Sequence, residues 1–103
     1  MLRAVAVVAI LASSAHAGRE MCARDAKHHG AAIDLDVKSA DIHDVFRLLA
    51  DAGNVNIVIP DDVQGKVTLK LKRVAWDLAV CTIAAVHKLD VTANGNVILV
   101  KRR

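Results

Sequence analysis

The sequence predicts one small domain of mixed helix and strand, in the order β-α-β-β-α-β-β. Three observations carry that expectation. Ile33, Leu35 and Val37 alternate with Asp34, Asp36 and Lys38 at the two-residue period of a half-buried strand. Residues 42–52 and 76–86 space their apolar side chains three and four apart, as an amphipathic helix does. Asn94-Gly95 stands between two alternating runs and is a strong short-range signal for a hairpin.

Ahead of the domain, Met1-Leu2-Arg3 supplies a positive charge, Ala4 to Ala12 an apolar run, and Ser13 to Ala17 an ending of Ala-x-Ala form. These are the parts of a secretory signal peptide, and the run is shorter than the roughly 20 residues a membrane-spanning helix needs. Residues 1–17 are therefore expected to be removed by cleavage between Ala17 and Gly18, leaving no stable membrane insertion. Arg19-Glu20-Met21 before Cys22 is too charged and bulky for a lipidation signal. Residues 18–32 are polar and without period, which predicts a flexible leader. The folded domain is expected over residues 33–101.

After the first strand, Ser39-Ala40-Asp41 offers capping oxygens to a helix whose apolar face is Ile42, Val45, Phe46, Leu49 and Ala52. Gly53-Asn54 is its expected stop, because both residues tolerate left-handed dihedrals. Val55, Ile57 and Ile59 make a second strand ended by Pro60. Asp61-Asp62 and Gly65 turn the chain into a third, with Val67, Leu69 and Leu71 inward. Its other face carries Lys66, Thr68, Lys70 and Lys72. This row is the candidate partner-binding face; the plainer reading is a solvated face balanced by Asp34 and Asp36, at about 0.2 to 1 kcal/mol per cross-strand pair. In the second helix Asp77 suits the positive helix end, Trp76, Ala79, Val80, Ile83 and Val86 form the apolar face, and Cys81 falls off it. A closing strand over Val97 to Val100 and a basic, soluble end at Lys101-Arg102-Arg103 complete the chain.

Phe46 and Trp76 are the only aromatic residues, so they are expected in the structural core among aliphatic neighbours, with marginal stability. The formal charge of +3 is spread along the chain and lacks stacking aromatics, which excludes a nucleic-acid binder. No nucleophile, base and orienting group occur at readable spacing, so no enzyme and no cofactor are expected. Cys22, His28 and His29 do not have the spacing of a zinc site, and His43 and His87 lie on predicted helices away from them. Cys22 and Cys81 suit an oxidising compartment and are expected to pair, at a gain of about 4 kcal/mol for a loop of this length. An intermolecular bond or two free thiols remain the alternatives.

Taken together, IDLDVKSADIHDVFRLLADAGNVNIVI and GKVTLKLKRVAWDLAV resemble the short N-terminal domain shared by bacterial secretins and TonB-dependent transducer receptors, above all the copy in type IV pilus secretins. The specific parts are Ala40-Asp41-Ile42, Val45 to Ala50, Gly65 to Leu69, and Val74 with Trp76-Asp77. Ala75 stands where that family usually has proline, and Cys81 where it usually has a polar helix residue. The resemblance implies an α+β fold with two helices packed between two small sheets, facing the periplasm, free or associated with the outer membrane. It also implies a docking role. With Arg103 as the last residue, pore and receptor activities do not carry over, and a free-standing adaptor for a secretin or TonB-linked envelope system is expected. A self-associating homo-oligomer, or a small metal-binding protein using His28, His29 or His43, are the alternatives.

Overall fold

The computed structural model describes residues 19–103. The expected signal peptide and its cleavage site, Ala17 and Gly18, lie outside the described residues. In chain order the elements are β1 (Arg19–Glu20), β2 (Ala32–Asp41), α1 (Ile42–Gly53), β3 (Asn56–Val58), β4 (Lys66–Ala75), α2 (Trp76–His87), β5 (Leu89–Asn94) and β6 (Val97–Arg102). From β2 onward this is the expected α+β order. The helices lie between a two-stranded antiparallel sheet, β2-β4, and a four-stranded sheet of order β1-β5-β6-β3. In the larger sheet β3 runs parallel to β6, and the other pairs are antiparallel.

Each helix is bounded by local chemistry. Asp41 caps α1 by accepting from the His43 N–H at 2.8 Å, and Asn54 ends it at φ 53°, its N–H returning to the Ala50 and Asp51 carbonyls. Ile42, Val45, Phe46 and Leu49 are all fully buried. Ala52, expected with them, is exposed. At 3.6 residues per turn the inward face continues at Gly53, which packs on Trp76.

α2 departs further from expectation. Its buried residues are Ala79, Val80, Cys81, Ile83 and Ala84. The inward face is centred on Val80 and Ala84, one step round from where the spacing put it. Val86 is therefore turned outward, 72% exposed, and Cys81 faces inward at 9%.

Residues 19–31, expected as a flexible polar leader, form an ordered strap over this end of the domain. β1 pairs with β5, the Met21 N–H donates to the Val91 carbonyl at 3.0 Å, and Cys22 is bonded to Cys81 with Cα atoms 5.3 Å apart. The Gly30 N–H donates to Asp77 Oδ1 at 3.2 Å, and the Trp76 N–H donates to the Ala31 carbonyl at 3.1 Å. These contacts use backbone groups, one carboxylate and a disulfide, which leave no hydrophobic period to read.

The aliphatic core joins the inner faces of both helices to Val67, Leu89, Val91, Ile98 and Val100, with no buried polar or charged residue among those described. Val63, inside the segment read as a turn, is also buried, held by its N–H donating to the Pro60 carbonyl at 3.1 Å. The hairpin turns one residue later than expected: Asn94 still pairs with Val97, and the loop is Gly95-Asn96. Gly95 at φ 64° in the first loop position is the arrangement of a type II′ turn, which matches the twist of the strands. The basic end continues β6, and Arg103 Nε donates to Asp90 Oδ1 at 3.0 Å.

Candidate functional site

The two-stranded sheet presents a continuous exposed polar face. β2 and β4 are ten residues each, and their alternation sends Ile33, Leu35, Val37, Val67, Leu69 and Leu71 toward the helices. Lys66, Thr68, Lys70 and Lys72 all lie exposed on the opposite face, one row on one strand. Across the ladder Lys70 faces Asp36 and Lys66 faces Asp41. The face nevertheless carries a positive surplus, with Lys38, Lys66, Lys70, Lys72 and Arg73 against Asp34, Asp36 and Asp41.

Two bulges shape this face. The register slips between Ile33 and Leu35, where Lys72 and Arg73 together oppose Asp34, and again between Val37 and Ala40, where Lys38 and Ser39 oppose Thr68. Arg73 and Ser39 take left-handed dihedrals, φ 54° and 53°. Each N–H freed by the bulge is satisfied from the facing strand: Arg73 N–H donates to Asp34 Oδ1 and Ser39 N–H to Thr68 Oγ1, both at 2.8 Å. Thr68 and Asp34 thus hold the sheet's shape, which leaves the lysines as the groups free to meet a partner. Arg73 joins the basic row through its bulge. The sequence trace of both bulges is a doubled polar pair, Lys38-Ser39 and Lys72-Arg73, interrupting strict alternation.

The other expected residues fall elsewhere. Phe46 is at the centre of the core, while Trp76 is half-buried at its rim, its indole wedged between Gly30 and Gly53. A Cβ on either glycine would come within 2.4 Å of the ring. The Cys22–Cys81 bond joins the strap to α2. His28 Nδ1 is 3.5 Å from Asp77 Oδ2, and His43 Nε2 donates to the Val63 carbonyl at 2.7 Å. Among the described residues no three His, Cys, Asp or Glu side chains gather as metal ligands would. No helix among them is long and apolar enough to cross a membrane.

No protein-family model matches the chain. The chain is 36% identical over 74 residues to the type IV pilus biogenesis and competence protein PilQ of Neisseria meningitidis, and 38% over 71 residues to the fimbrial assembly protein PilQ of Pseudomonas aeruginosa. The matches cover 72% and 69% of this chain and 10% of each relative, so the chain spans about a tenth of their length. In structure it resembles the N0 domain of the type II secretin from enterotoxigenic Escherichia coli, with a TM-score of 0.64 and 17% identity over 71% of this chain and 96% of that one. The type IV competence pilus secretin PilQ of V. cholerae aligns at TM-score 0.57 and 34% identity, over 68% of this chain and 16% of that one.

Proposed function

The domain belongs to the secretin N-terminal domain family, and from that premise we propose that it works as a non-catalytic docking module of an envelope secretin system, in the periplasm. The observation that carries this reading is a two-bulged sheet presenting Lys66, Lys70 and Lys72 outward beside a strand edge that no other described strand covers. Charged rows of this kind steer encounter and fix register more than they add affinity. An unpaired edge adds main-chain hydrogen bonds to a partner strand. The relatives are type IV pilus secretins, which favours a pilus or secretion machine over a TonB-linked one as the assembly served.

The test is a cross-linking capture from envelope extracts with the tagged protein and its Lys66→Glu/Lys70→Glu/Lys72→Glu variant. The docking reading expects a secretin or one of its assembly components with the wild type, and loss of it with the variant. Equal recovery by both removes the lysine face. Self-association through Asp34 and Asp36 of one copy against the lysines of another is the second reading, favoured by the opposite charges on neighbouring strands. It expects a sedimentation coefficient that falls as salt screens those charges.

A further inference from the structure

β4 pairs with β2 along one edge, and its other edge borders a groove of about 290 Å³. The groove takes four consecutive β4 residues, Lys66 to Leu69, and none from β2. Residues from both faces of one strand line the same opening only when it runs along that strand's edge. The far wall is α2, where Thr82 and Val86 are exposed and Val86 is the most exposed of the large apolar side chains described. We propose that this edge is a strand-docking site, and that its occupant is an extended segment of another protein in which acidic and apolar residues alternate. The inference rests on the docking reading above and names the partner's chemistry.

The alternation follows from the two walls. A strand added beside β4 sends every second side chain inward over Thr82 and Val86, where an apolar group covers the valine. The intervening side chains stand next to Lys66, Lys70 and Lys72, where carboxylates complete the charge balance. β2 already illustrates the pattern on the opposite edge, with Ile33, Leu35 and Val37 inward and Asp36 facing Lys70.

A second copy's β2 does not fit the same place, although its charges would. Each strand of the small sheet has a helix packed beneath it, α1 under β2 and α2 under β4. Packed helices need roughly 8–10 Å between axes, whereas neighbouring strands are about 4.8 Å apart. The pair α1 and α2 is therefore wider than the pair β2 and β4 above it and overhangs the free edge of each strand, as α2 does along the groove beside β4. A β2 seated beside β4 would drive its own α1 into α2. A segment without a helix beneath it meets no such obstacle.

The experiment follows backbone amide shifts of the purified, disulfide-intact protein on titration with a capped eight-residue peptide alternating Val and Glu. A peptide alternating Val and Lys is the control. The expected shifts cluster at Lys66 to Leu69, Thr82 and Val86, and affinity falls several-fold as salt shortens the Debye length from about 30 Å to 8 Å. Val86→Glu, at an exposed position that leaves the core amides unmoved, lowers affinity at least about tenfold by placing a charge among apolar groups. Lys70→Glu/Lys72→Glu reverses the preference toward the Val-Lys peptide. Shifts confined to β3 or β6, equal binding of both peptides, or an unaffected Val86→Glu protein would overturn the proposal. Capture of secretin components by the Val86→Glu protein at wild-type yield overturns the edge site alone. A wild-type protein that captures none removes the docking reading itself.

Discussion

Lys88 ends α2 at φ 58°, a conformation that costs an ordinary L-residue roughly 1 kcal/mol or more and glycine almost nothing. Lys88→Gly is therefore expected to stabilise the domain by about 0.5–1 kcal/mol, read as a higher urea midpoint at constant slope. The opposite case is Gly53, whose added Cβ would meet the rigid indole of Trp76. Gly53→Ala should cost about 1–3 kcal/mol by overpacking, with a changed Trp76 emission as its second signature. Sequence reading found Gly53 as a helix stop and Trp76 as an apolar residue. Their contact was invisible, because a glycine chosen for close approach looks the same as one chosen for its dihedrals.

The elements were legible where a hydrophobic period runs long enough to count. β2, α1 and β4 fall where their alternation or spacing puts them, the β5-β6 hairpin does so with its turn one residue late, and Asp41 caps α1 as its position suggests. Asp41→Ala should cost about 1 kcal/mol, measurable by thermal unfolding. The first residue of α2 follows Ala75, which makes no side-chain cap. The helix is held at that end by its strap instead, through Ala31 and the paired Gly30 and Asp77. What the period could not reveal is rotation: α2 is apolar nearly all round, so its spacing did not say which side would be covered. The strap decided it by covering Cys81. The bulges escaped for a related reason, since an inserted residue reads as a break in a strand until the facing partner is known.

At the scale of the whole molecule, an aliphatic core with one central phenylalanine is tied to its amino-terminal strap by a bond between residues 59 apart. Replacing Cys22 and Cys81 by alanine should cost about 4 kcal/mol by loop entropy, and free β1 from β5. Hydrogen exchange at Met21 is the check: its amide, bonded to Val91 in the wild type, should lose protection in the variant. The layered α+β arrangement followed from the order of the elements together with the family resemblance. The parallel seating of β3 on β6, carried by three residue pairs, did not, because so short a strand has no pattern of its own.

The lysine face and its strand edge are proposed to meet a protein of a secretin system. Zero-length carboxyl-to-amine cross-linking in intact envelopes, read by peptide mass spectrometry, tests this most directly. The expected links run from Lys66, Lys70 or Lys72 to aspartates or glutamates of a secretin or one of its assembly components. Links from these lysines only to Asp34, Asp36 and Asp41 of the same chain would contradict the proposal, and would return the row to the role of a solvated, self-balanced sheet face.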